Sequence, residues 1–110
     1  LYEKVVQKSL GWKGKGILGF VVGGTRPEAI KRVRELAPKN TLLVPGVGIQ
    51  GGDLETICDL GANDQGGLLI NVSRSIIYSG AEKDFEDKAH ETAEHYVSRM
   101  KAYVASRLPA

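Results

Sequence analysis

The sequence predicts an α/β fold with parallel strands, and three observations carry that reading. The apolar runs ILGFVV (17–22), TLLV (41–44) and LLINV (68–72) all have strand length. They are apolar at successive positions instead of alternating, as strands covered on both faces are. Helical patterns separate them, which implies parallel pairing through right-handed crossovers.

Taken in order, residues 1–10 read as the end of a helix with Val5, Val6 and Leu10 as its apolar stripe, and GWKGKG (11–16) as a loop. The first strand, near 17–22, ends at Gly23-Gly24. Thr25 is the expected cap of the next helix, with Pro27 in its first turn and Glu28 at the third position. That helix carries Ile30, Val33, Leu36 and Ala37 on one face and stops at Pro38. The second strand, 41–45, closes on Pro45. A helix from Asp53 follows, with Leu54, Ile57, Cys58 and Leu60 apolar, and stops at Gly61. After the third strand, 68–72, SRSIIYSG (73–80) is a turn or short helical piece. The long helix expected over 84–108 repeats Phe85, Ala89, Ala93, Tyr96, Val97, Met100, Tyr103 and Val104 at a 3.6-residue period; such a stripe packs on its own domain or on a partner chain.

An open sheet of three parallel strands leaves two edges and little core. The pattern is more natural as the last three βα units of a (β/α)8 TIM barrel, a fold of about 250 residues. Residues 1–110 are therefore expected to form one partial barrel domain. The opening on Leu1, in mid-pattern, is expected of a segment of a longer protein.

Bulk properties exclude several classes. The chain is 42% hydrophobic and 25% charged, with a net charge of +2 and no basic stripe, so nucleic acid is not an expected partner. No apolar run approaches the roughly 20 residues of a membrane span, and LYEKVVQKSL lacks the apolar core of a secretory leader. The single cysteine, Cys58, precludes an internal disulfide, fits a reducing compartment, and sits on an apolar helix stripe as a small core residue.

The stretch VPGVGIQGGD (44–53) matches G-x-G-x-x-G through Gly46, Gly48 and Gly51. A dinucleotide site also needs an acid about 20 residues on, at the end of the next strand. That strand ends in Asn71, Val72 and Ser73, and a second match, GKGILG, precedes a strand where a helix is required. The loops after the second and third strands fit a phosphate site better. Glycines admit main-chain N–H groups, a helix start adds a positive field, Arg74 offers a bidentate charged contact, and Gln50 a neutral donor. An ordinary surface arginine and a loop glutamine are the competing account. HETAEH (90–95) spaces its histidines five apart, turned by about 140° on a helix, where a zinc H-E-x-x-H motif spaces them four apart.

The stretches GFVVGGTRPEAIKRVRELAP, LLVPGVGIQGGD and GLLINVSRSIIY resemble the sixth, seventh and eighth βα units of orotidine 5′-phosphate decarboxylase, in its bacterial branch. The likeness is tightest over residues 19–78, and PGVGxQGGD with S-R-x-I about twenty residues later is specific in combination. The resemblance implies that Gln50 contacts the phosphate and reaches over the pyrimidine. It likewise implies that Arg74 holds the phosphate with the main-chain N–H groups of Ser73 and Arg74, that Pro45 lines the wall beside the pyrimidine, and that Gly46 and Gly48 shape the loop. It further implies a nucleotide substrate, orotidine monophosphate, a cytoplasmic homodimer, and no metal or cofactor.

The family's Lys/Asp array, with its D-x-K-x-x-D core, has no counterpart here, since DFEDK (84–88) has the wrong spacing. No catalytic residue is therefore expected within this chain. Two rival readings remain: another phosphate-binding barrel enzyme of the sugar-phosphate isomerase or epimerase type, and a non-catalytic phosphate-binding fragment.

Overall fold

The computed structural model describes residues 1–48 and 53–108. The elements are α1 (Tyr2–Ser9), β1 (Gly19–Val21), α2 (Pro27–Leu36), β2 (Thr41–Val44), α3 (Leu54–Gly61), β3 (Leu68–Ile70), α4 (Arg74–Ile77) and α5 (Phe85–Val104), followed by a 3-10 turn, Ala105–Arg107. The sheet is parallel, in the order β1-β2-β3. Its ladder continues past the named strands through Val22 N–H to Leu43 O (2.9 Å) and Asn71 N–H to Val44 O (3.0 Å). The long helix is α-helical only to Val104.

Two local expectations change. Arg26, not Thr25, is the N-cap of α2, with φ −126° and ψ 84° and no side-chain cap bond. The cause is Pro27, whose ring disfavours helical dihedrals at the preceding residue, so the helix starts at the proline itself. In α1 the buried positions are Val6 and Ser9, whereas Val5 is 56% exposed. Ser9 can be buried because its hydroxyl donates to the carbonyls of Val5 (2.8 Å) and Val6 (3.0 Å). An Arg32–Glu3 ion pair at 2.8 Å adds a link from α2 to α1.

The core lies on one face of the sheet. Leu42 and Val44 of β2 are fully buried against Ile30, Val33 and Ala37 from the α2 region and Leu54, Ile57 and Cys58 of α3. Burial pushes the Cys58 thiol up from its ordinary pKa. The opposite face is different. Val21 pairs in register with Leu43, and Leu43 with Leu69. This apolar row is 70%, 39% and 59% exposed, respectively. Strands expected to be covered on both faces are thus covered on one.

At the N-terminal ends of the strands, Arg34 of α2 gathers carbonyls from several segments. Its Nε donates to Gly61 O at 2.7 Å, Nη1 to Asn40 O at 2.7 Å and Ala37 O at 3.0 Å, and Nη2 to Gly67 O at 3.0 Å. Burial lowers its pKa from the ordinary arginine value. Asn40 continues the link by donating from Nδ2 to Leu18 O at 3.0 Å, ahead of β1. Gly61, whose carbonyl Arg34 holds, lies where a Cβ would sit 2.9 Å from Ile30 Cγ2 and 3.0 Å from Leu68 Cδ2. The two helices and β3 can approach this closely only over a glycine.

Arg34→Ala is expected to destabilise the fold by about 3 kcal/mol, because it strands partly buried carbonyls, and Arg34→Lys to recover only part, since an ammonium lacks the planar fork. Gly61→Ala is expected to cost about 1–3 kcal/mol through overpacking. Urea unfolding midpoints check both.

Candidate functional site

The loops after β2 and β3 emerge side by side because the strands are parallel and paired in register up to Val44 and Ile70. Beyond β2, Pro45 O accepts the Gly24 N–H at 2.7 Å, which ties the exit of β1 to that of β2. Gly46 and Gly48 then take φ values of +81° and +134°. These are left-handed conformations that residues with a Cβ rarely adopt. Val47 between them is buried. Beyond β3, the amide of Asn71 donates to Ser73 Oγ at 3.4 Å, and Ser73 O accepts N–H groups from Ile76 (3.1 Å) and Ile77 (2.9 Å) to open α4 at Arg74.

A cleft of about 880 Å³ lies between these loops and α5. The β2 loop contributes Gly46, Val47 and Gly48, and the β3 exit contributes Asn71, Ser73 and Arg74. Hydroxyls come from Ser75, Tyr78 and Ser79 around α4. The far wall is one face of α5, where Thr92, His95, Tyr96 and Arg99 follow at i, i+3, i+4 and i+7. None of these described lining residues is a carboxylate. Two arginines, a histidine and several hydroxyls make a wall suited to an anion.

Arg74 differs from the other arginines. Arg26 pairs with Glu28, Arg32 with Glu3, Arg34 with carbonyls, Arg99 with Tyr103 and Arg107 with Asp59. Among the described residues, the Arg74 guanidinium has no hydrogen-bond or ion-pair partner. It is exposed at the cleft.

The structure therefore brings together Gly46, Gly48, Ser73 and Arg74. Pro45 stands beside them as a carbonyl acceptor, not in the cleft lining. Gln50 lies outside the described residues. The α5 wall was not anticipated from sequence, although its polar positions share a helix face, next to the apolar stripe that contains Tyr96. His90 points to a different role from metal binding, with Nε2 3.0 Å from Glu94 Oε1.

Fold and loop placement define the class first: consecutive βα units of an α/β barrel, with their loops gathered at the C-terminal ends of the strands. No family model matches the chain. Curated relatives do. It is 41% identical over 107 residues to orotidine 5′-phosphate decarboxylase of Flavobacterium johnsoniae, covering 97% of this chain and 39% of that protein. To the enzyme of the same name from Christiangramia forsetii it is 44% identical over 100 residues, or 91% and 37% of the two chains. Among solved structures, Leishmania donovani UMP synthase superposes with a TM-score of 0.73 at 41% identity, over 93% of this chain and 23% of that one. Leishmania donovani OMP decarboxylase gives 0.70 at 38% identity, over 91% and 38%.

The chain belongs to the orotidine 5′-phosphate decarboxylase family, as the C-terminal βα units of its (β/α)8 barrel. It spans about two-fifths of the length of the curated relatives it matches. In such a barrel the uncovered row Val21, Leu43 and Leu69 faces the interior, which side chains fill. No helix among the described residues is long and apolar enough to cross a membrane.

Gly48→Ala is expected to be costly for two reasons. Its φ is left-handed, and a Cβ would sit 2.5 Å from Ser75 Oγ. A loss of about 1–3 kcal/mol is expected, whereas Gly14→Ala, with nothing within 4 Å of its Cβ position, should change little. Thermal unfolding of the two variants makes the comparison.

Proposed function

We propose that the protein to which this segment belongs decarboxylates orotidine 5′-monophosphate to uridine 5′-monophosphate in pyrimidine biosynthesis, and that this segment supplies the phosphate grip. The names of its relatives support the reaction. The observation that carries the grip is Arg74, a guanidinium without a partner among the described residues, beside a cleft whose described lining has no carboxylate. Arg74 holds the phosphate with the main-chain N–H groups of Ser73 and Arg74, Gly46 and Gly48 shape the opposing turn, and Pro45 flanks the pyrimidine. Gln50 contacts the phosphate and reaches over the pyrimidine.

The chemistry at the base belongs to residues outside this segment, whose sequence contains no D-x-K-x-x-D. A lysine protonates the carbon that loses CO₂, and fixed charges favour the carbanion-like transition state. The reading calls for no metal or cofactor. The phosphate grip contributes from a distance, because binding energy from a non-reacting group can hold the reactive geometry. On this reading the segment alone is inactive, and the whole protein is a cytoplasmic homodimer.

In the full-length protein, Arg74→Ala is expected to weaken uridine monophosphate binding roughly 10- to 100-fold, the range for a lost charged hydrogen bond. Affinity for uridine, which lacks the phosphate, should stay the same. Calorimetric titration reads both, and an unchanged affinity for the monophosphate would sink the assignment.

A further inference from the structure

The α5 wall of the cleft has no role in that reading. Arg99 lines the cleft with Arg74 but is held differently. Its Nε and Nη2 donate to Tyr103 Oη at 3.2 and 3.1 Å, and the guanidinium lies 5.6 Å from the centre of the Tyr103 ring. Tyr103 sits one helical turn on, so α5 orients its own arginine. The carboxylate of Asp53, at the start of α3, acts on it electrostatically, after the larger effect of the Tyr103 hydrogen bond. Asp53 itself accepts the Thr56 hydroxyl at 2.8 Å, and among the described residues no ion pair joins it to Arg99. Arg99 is thus held by a neutral phenol and lines the cleft without a carboxylate partner among the described residues. Tyr96, one turn before it, approaches the Gly48 turn, with its hydroxyl 3.5 Å from where a Gly48 Cβ would lie. The helix that carries Arg99 is therefore packed against the loop that opposes Arg74.

We propose that Arg99 is a second, long-range cation of this cleft, a specificity residue that favours a doubly charged phosphate ester over a neutral ligand. The inference rests on the phosphate reading and adds α5 to it. Arg74 makes the direct contact. Arg99, already oriented by Tyr103, raises the potential of the opposite wall at no further ordering cost.

The test measures uridine monophosphate and uridine binding to the full-length protein, unsubstituted and as Arg74→Ala, Arg99→Gln and Arg99→Lys. Arg99→Gln is expected to bind the monophosphate roughly three- to fivefold more weakly, as suits a charge acting through solvent. Uridine affinity should be unchanged, and Arg99→Lys should stay within about twofold of the unsubstituted protein. The monophosphate deficit of Arg99→Gln should also shrink as salt is raised. If Arg74→Ala weakens the monophosphate and Arg99→Gln does not, the inference fails and the phosphate reading stands. If neither variant has an effect, both fail. Equal losses for both ligands in Arg99→Gln would mean that Arg99 only supports the fold, which also overturns the inference. Should Arg99→Gln not fold, Asp53→Asn gives the opposite sign: removing the counter-charge should tighten monophosphate binding about twofold, and unchanged or weaker binding counts against the proposal.

Discussion

One guanidinium holds the floor of this structure. Parallel strands joined by helices end with carbonyls that neither ladder nor helix can satisfy, and they converge at the N-terminal ends of the strands. Arg34 satisfies carbonyls from the end of α2, the end of α3 and the residues just before β2 and β3. It does so with five donors in a rigid plane, which a lysine cannot match. Fixing the floor fixes the register of β2 on β3, and the register determines what meets at the other end. Because Val44 pairs with Ile70, Pro45–Gly48 emerge beside Asn71–Arg74. The cleft is thus a consequence of how the opposite end is tied.

The two ends of the sheet divide the work. The floor is dense with side-chain-to-carbonyl bonds. The roof has glycines with left-handed backbone, hydroxyls, and an arginine left without a partner among the described residues. A guanidinium with no partner, at a cleft with no carboxylate in its lining, both among the described residues, attracts an anion, and its contact is made without first breaking an ion pair. The apolar row Val21, Leu43 and Leu69 tells the same story about completeness. Those side chains belong against further strands of the barrel, and the sheet closes only with them.

Much of this was legible in the sequence. The apolar runs named the strands; the glycine turn at Gly46 and Gly48 and Arg74 after the next strand stood out as a candidate phosphate site against the competing account of an ordinary surface arginine, and the resemblance added Pro45 and Ser73. What escaped notice had no local signal. Arg34 lies on a helix face that reads as solvated, and its partners come from 27 and 33 residues away in sequence. The α5 wall mixes Thr92, His95, Tyr96 and Arg99, and only their juxtaposition with the Gly48 turn gives them meaning. In α1, hydropathy favoured Val5 and Leu10, but a serine that bonds back to its own helix competes for burial. The cap of α2 moved by one residue because the steric rule at Pro27 outweighs the capping preference of Thr25.

The central claim is that the Gly46–Gly48 turn and the Ser73–Arg74 corner together hold a nucleotide phosphate. A crystal structure of the full-length protein with uridine monophosphate tests it most directly. The account predicts the phosphate between those two segments, with Arg74 donating to it and the main chain of Ser73 and Arg74 within hydrogen-bond distance. A phosphate bound elsewhere, with Arg74 turned to solvent or paired to a carboxylate from the rest of the chain, would contradict it.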